Sequence, residues 1–189
     1  MISRTLARCA LLAAIASVAP AAAHSQDALD ARAVAHLRDQ YAADLDTVHA
    51  KIMQLARAIP AEKYSWRPAA GVRSVSEALM HVAGEWYYYT PMSVAGTAPP
   101  DFGTPREKLP ALEKITTKDA VVGELEKSWA HCADQLRAAD PSRLTGSYKP
   151  WGIPMDQAAF VMAGDLHEHL GQLIAYARTI GVKPPWSKA

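Results

Sequence analysis

From position 27 onward, apolar residues return every third or fourth position: Leu37, Tyr41, Leu45, Val48, Ile52 and Leu55. That spacing predicts a long amphipathic helix ending before Pro60. A turn-rich stretch from Pro60 to Gly71 follows, and then Ser74 and Glu77 stand three apart, the reciprocal arrangement of a capping box. A second helix is predicted there, running through His81 to about Tyr89. Five prolines between Pro91 and Pro110, with little periodicity, predict an irregular connection that crosses the molecule and is long enough to act as a lid. Val121, Val122, Leu125, Trp129, Cys132 and Leu136 predict a third helix, starting near Thr116 and Asp119 and stopping near Pro141. Ser142 to Pro154 reads as a loop with a short extended piece. The fourth helix runs from about Pro154 to Gly181, with Pro184 and Pro185 preventing continuation. Four helices, no strand alternation and one long crossover predict an all-α four-helix bundle, in which facing helices offer side chains to an internal site.

The first 23 residues differ in kind. Arg4 and Arg8 precede the apolar run Cys9 to Ala16, and Ala21-Ala22-Ala23 offers small residues for cleavage, the pattern of a secretory signal peptide. The run is short for a membrane span. The remaining bundle, residues 27–182, is expected in the periplasm. Half of the 189 residues are apolar and 21% are charged, which suits one globular domain with an ordinary core. Loss of Arg4 and Arg8 with the leader takes the formal charge from +1 to −1, leaving neither a basic stripe for nucleic acid nor a polybasic membrane face. Cys132 is the one cysteine outside the leader, so no disulfide within the processed chain is expected.

Candidate chemistry concentrates on the fourth helix, in Asp165-Leu166-His167-Glu168-His169. At about 100° per residue, Asp165 and His169 share one side, whereas His167 is rotated by roughly 200° and faces away. His169 flanks the apolar stripe of Ala159, Met162, Leu166, Leu173 and Ala177, where an imidazole and a carboxylate must be paired, hydrogen-bonded or bound to an ion. A plain Asp–His hydrogen bond uses the same spacing. On the second helix His81 is the candidate third ligand, with a satisfied core histidine as its alternative; Glu85, one turn further on, is a candidate supporting or pocket residue. Two histidines and one aspartate with an open position suit Zn²⁺, and also Ni²⁺, Fe²⁺ or Mn²⁺. Gln172, about 60° from His169, is placed to orient a ligand, and Glu168 to face solvent or a neighbouring helix. Trp86, Tyr87, Tyr88 and Tyr89 cover every side of the second helix's end, so Trp86 and Tyr89 are candidates for a pocket wall as well as for packing. His36, His49 and His131 have no partner at metal spacing, and Cys132 has no adjacent basic group to activate it. Absence of a Gly-rich phosphate loop, nucleophile elbow, Cys-x-x-Cys or His-Glu-x-x-His removes the common nucleotide, hydrolase, thioredoxin and metalloprotease readings.

Two stretches together carry a family likeness. The first is Ile59-Pro60-Ala61-Glu62-Lys63-Tyr64-Ser65-Trp66-Arg67-Pro68, continuing through Gly71-Val72-Arg73-Ser74-Val75-Ser76-Glu77 to Met80-His81-Val82-Ala83. The second is His167-Glu168-His169-Leu170-Gly171-Gln172-Leu173-Ile174-Ala175-Tyr176-Ala177-Arg178, followed by Gly181 and Pro184-Pro185-Trp186. In these the chain resembles the DinB/YfiT-like superfamily of small metalloenzymes. The resemblance implies an up-down-down-up bundle, with a long crossover between helices two and three. It also implies a divalent ion, zinc or nickel ahead of iron or manganese, held by three histidines, one on the second helix and two at i and i+4 on the fourth. His81 matches the first and His169 the last; the middle position falls on Asp165, a departure that either keeps the site with a changed ligand or weakens it. Thiol-dependent transfer and isomerisation are the activities the resemblance suggests. Export removes the chain from cytosolic thiol cofactors, so metal-assisted hydrolysis of a small molecule stands equally open, as does a non-catalytic metal-binding or ligand-binding module, alone or as a homodimer.

Overall fold

The computed structural model describes residues 30–95 and 102–187. The leader assigned to residues 1–23 and the helix start expected at Asp27 lie outside the described residues. Helix α1, Ala31–Ala58, begins where the Asp30 carboxylate accepts the Ala33 amide at 2.7 Å, and its buried face carries Val34, Tyr41, Leu45, Val48, Ile52 and Leu55 at the expected spacing. Helix α2, Val75–Tyr87, opens with the capping box: Ser74 Oγ accepts the Glu77 amide, and Glu77 Oε2 accepts the Ser74 amide at 2.7 Å. Ten of its thirteen residues are buried, so its polar side chains have only neighbouring helices to face.

The second helix stops at Tyr87, short of the expected Tyr89, and the chain restarts as α3, Tyr89–Ala95. Pro91 explains the break: it has no amide hydrogen, and its ring would meet the carbonyl of Tyr87, four residues back, in a continuous helix. The connection expected to be irregular carries α3 and a further short helix, α4, Pro105–Leu112. Pro91 and Pro105 fall in first turns, where a missing amide hydrogen costs little, so these prolines start helices instead of preventing them. Helix α4 lies against α2 at Gly84, where any Cβ would fall on the Leu109 side chain.

Helix α5, Lys118–Ala138, buries Val121, Leu125, Ser128, Cys132 and Leu136 and packs chiefly on α2. The expected extended piece is a two-stranded antiparallel hairpin, β1 Ser147–Tyr148 and β2 Ile153–Pro154, in the register Ser147 to Pro154 and Tyr148 to Ile153. Helix α6, Met155–Thr179, packs against α1 and α3 and touches α2. It ends where Gly181, at φ +81°, lets the Val182 amide return to the Ala177 carbonyl at 2.7 Å. The result is an all-α bundle of four long helices with α2 at its centre. Among the described residues no helix is long and apolar enough to cross a membrane.

Candidate metal centre

Two residues one turn apart on α2, His81 and Glu85, meet His169 of α6. Nε2 of each histidine lies 3.2 Å from Glu85 Oε1, and the two imidazoles stand 4.9 Å apart at 74°. One ligating atom from each residue lies within 4.8 Å of the others. The expected convergence of the second and last long helices is therefore present at His81 and His169. The carboxylate that lies between them is Glu85, read from the sequence as a supporting residue, where the expected ligand was Asp165. Asp165 Oδ1 lies 3.8 Å from His169 Nε2 with its side chain 41% exposed, on the rim of the group. Glu85 is 2% exposed. The physical reason lies in α2, whose near-complete burial turns Glu85 inward and leaves no solvent path for its charge. The signal was available, because His81-x-x-x-Glu85 has the same one-turn spacing as Asp165-x-x-x-His169.

Charge follows from this geometry. Burial raises the Glu85 carboxyl, but contact with His169 and His81 outweighs burial and holds its pKa down at about 2. Burial lowers the His169 imidazolium, and Glu85, with help from Gln172 and Asp165, reverses that and carries it up to about 9. Asp165 moves the other way, to about 6, through burial and the nearby Glu85 charge. Glu85 thus keeps its charge, and the group needs a compensating cation: a proton on His169, or a metal ion.

The outer atoms of the two histidines are held differently. Tyr176 Oη donates to the Arg73 carbonyl at 3.1 Å, and a carbonyl can only accept. Tyr176 Oη accordingly accepts from the Gln172 amide nitrogen at 2.9 Å, which turns Gln172 Oε1 toward His169 Nδ1 at 3.2 Å. Nδ1 must therefore carry the hydrogen, and the neutral ring presents the Nε2 lone pair to the group. Gln172, the residue that the sequence put forward for orienting a ligand, lies within hydrogen-bond distance of His169. His81 Nδ1 faces Glu113 Oε1 at 3.4 Å without hydrogen-bond geometry, while the same oxygen accepts from Arg73 Nε at 2.9 Å. Arg73 thus anchors one chain by its carbonyl and the other by its guanidinium.

The remaining candidates separate from the centre. His167 points away from the group, as its helical phase requires, and lies 3.0 Å from Asp44 of α1. Glu168 is exposed. Trp86, about 100° around α2 from Glu85, is fully buried against His49 and Trp129, the packing role that the sequence also offered. Tyr89 stacks at 6.4 Å on Trp151 of the hairpin turn and lies close enough to Glu85 for that charge, after burial and Tyr88, to raise its phenol. His36 is exposed, His131 lies beside Tyr87, and the Cys132 thiol is pushed well above its usual range by burial, the opposite of activation.

Two observations fit the group to a cation. Two imidazoles and a carboxylate are an established donor set for divalent transition metals. Glu85 Oε2 is buried with no hydrogen-bond partner among the described residues, an arrangement that costs free energy until something positive approaches it. Comparison with family models gives a match to the DinB superfamily over residues 44–173, a span that contains His81, Glu85 and His169. Comparison with curated proteins gives no match.

Proposed function

The chain belongs to the DinB superfamily, and on that premise we propose that it holds one divalent transition metal through His81, Glu85 and His169 and acts as a metal-dependent hydrolase or transferase on a small molecule. The observation that carries this reading is the meeting of two imidazoles with a buried, half-partnered carboxylate inside the bundle. Zinc and nickel lead, and iron and manganese accept the same donors. Such an ion, when bound, supplies Lewis acidity to an oxygen placed in its open position. The chain's own residues prepare that position. Gln172 fixes the tautomer of His169, Glu85 holds negative charge where water is excluded, and Asp165 Oδ1, 3.8 Å from His169 and open to solvent, can hold a proton beside the reacting atoms. We propose also that residues 1–23 are removed on export, placing the bundle in the periplasm; the N-terminal mass of protein recovered from that compartment checks it.

Elemental analysis of protein purified without chelator tests the metal reading. The expected result is about one ion per chain, as one three-ligand site requires, lost in His81→Ala, Glu85→Ala and His169→Ala and kept in His167→Ala. No ion after supplementation with zinc or nickel overturns it. An ion retained with no turnover of ester, amide or thiol-transfer substrates leaves a metal-binding module without catalysis.

A further inference from the structure

On the opposite flank of α6 lies a second concavity that shares no residue with the metal group. Ala159 and Ala163, one turn apart on α6, face Leu37 and Tyr41, one turn apart on α1. Methyl groups where larger side chains would close the seam leave a cleft of about 330 Å³, the lower end of the range for small-molecule sites. Leu144 and Phe160 complete its apolar wall. The Tyr41 hydroxyl is engaged with Ser93 Oγ at 3.0 Å, so the cleft meets its ring. Phe160 is 67% exposed at the lip, a large apolar surface left in water.

Among the described residues the polar groups lining the cleft are Gln40, Asp44 and Asp156, with no lysine or arginine. An anion would meet two aspartates and neither a lysine nor an arginine in the lining. A neutral hydrocarbon would fill the wall but draw nothing from the two aspartates among its lining residues. An ammonium carrying an apolar tail satisfies both features, and the two aromatic rings favour a cation further. His167, which does not line the cleft, contacts Asp44, and Asp156, whose Oδ1 accepts the Gln157 amide at 2.8 Å, has no basic side chain paired with it among the described residues. We infer that the cleft between α1 and α6 binds a hydrophobic ammonium ion, an aliphatic or arylalkyl primary amine, independently of the metal group.

Amide chemical-shift titrations of the full chain with hexylamine, hexan-1-ol and hexanoate test it, because the three probes share a tail and differ in head-group charge. The expected result is a set of shifts over residues 37–44 and 156–163, with hexylamine at least about tenfold tighter than hexanoate and hexanol between them, the size of one well-placed charge interaction. Asp44→Asn with Asp156→Asn should bring hexylamine to the level of hexanol. Ala163→Leu should remove binding of all three; if its spectrum loses dispersion, Ala159→Val serves in its place. The proposal is overturned if hexanoate binds as well as hexylamine, if no probe shifts these amides, or if filling the cleft changes nothing. Shifts in the same residues on dilution of the protein alone would assign the cleft to a second copy and overturn it as well. Metal content enters none of these readouts, so this inference and the metal reading fail separately.

Discussion

Consecutive residues of α2, Glu85 and Trp86, face two regions that treat a histidine in opposite ways. On the Trp86 side, His49 of α1 stacks on Trp129 at 4.2 Å and 7° and meets the edge of Trp86 at 5.3 Å. Burial there lowers its pKa to about 4, more than nearby Asp46 can restore. On the Glu85 side, burial acts on His169 with the same sign, yet a carboxylate at 3.2 Å carries the ring up to about 9. Burial alone therefore does not decide what a histidine in this bundle can do. Its partner decides: the first region keeps a neutral ring as an aromatic brick, and the second holds negative charge that calls for a cation.

Trp86→Ala should break the first region most severely. Removing a fully buried indole is expected to cost about 3–5 kcal/mol and to return the His49 pKa toward its usual value, read from urea unfolding and imidazole NMR titration. A loss below about 1 kcal/mol would show that the stacked region is not what holds α1, α2 and α5 together. Glu85→Ala turns the second region into a likeness of the first. Metal affinity, measured by competition with a chromophoric chelator, should fall by more than about 100-fold as a ligand is lost. In the metal-free variant the His169 pKa should fall well below about 9, because Glu85 is the chief opponent of burial and only Gln172 and Asp165 then remain against it. An unchanged His169 pKa would remove Glu85 from the account.

The scaffold was largely legible in the sequence, because long helices announce themselves by spacing, whereas the stack of His49 on Trp129 and Trp86 joins three helices and leaves no local pattern. Leu37 to Leu55, the capping box at Ser74 and Glu77, and Gly181 each act within one turn of themselves. The prolines misled, since their meaning depends on whether they fall in a first turn, as Pro91 and Pro105 do, and that is set by where the helix starts. Of the centre, His169 and Gln172 were readable from helical phase, and His81 from its place on an apolar helix and from the family resemblance. Glu85 was visible as a neighbour but not as the central carboxylate, because that role comes from how completely α2 is enclosed. The chain from Gln172 through Tyr176 to Arg73 crosses 103 residues of sequence at its last bond, beyond any local pattern.

That chain supplies a sharper test of the second region. Gln172→Leu removes the acceptor for His169 Nδ1–H and should weaken metal binding by about 10–100-fold, the usual effect of losing a group that orients a ligand. Gln172→Glu keeps an acceptor there and should retain most of the affinity. Long-range ¹⁵N spectra of neutral His169 should show hydrogen on Nδ1 in the parent and a tautomer mixture in Gln172→Leu. Equal losses in both variants would mean that the side chain serves packing and not orientation.

The smallest effect contrasts the two histidines directly, through pH in chelated protein. His49 has its pKa lowered from 6.5 to about 4, so its contribution to stability is present above 6.5 and is lost as pH falls toward 4. His169 has its pKa raised from 6.5 to about 9, so its contribution is present below 6.5 and is lost as pH rises toward 9. Between pH 4 and 6 the raised carboxyl of Asp165, whose contribution is lost on going from 3.8 to about 6, opposes His49 and flattens the acid side. Glu85, lowered from 4.5 to about 2, loses its contribution only as pH falls below 4.5. Above pH 6.5, His169 is the one member of this set still titrating, so the urea midpoint of the chelated protein should decline from pH 6.5 to 9. Glu85→Gln should abolish that decline by removing the charge that raised the ring. Zinc should abolish it too, because a bound ion requires neutral His169 and holds it more tightly as protons leave. A decline that persists in Glu85→Gln would place its origin outside the pair and separate the two regions less sharply than their geometry does.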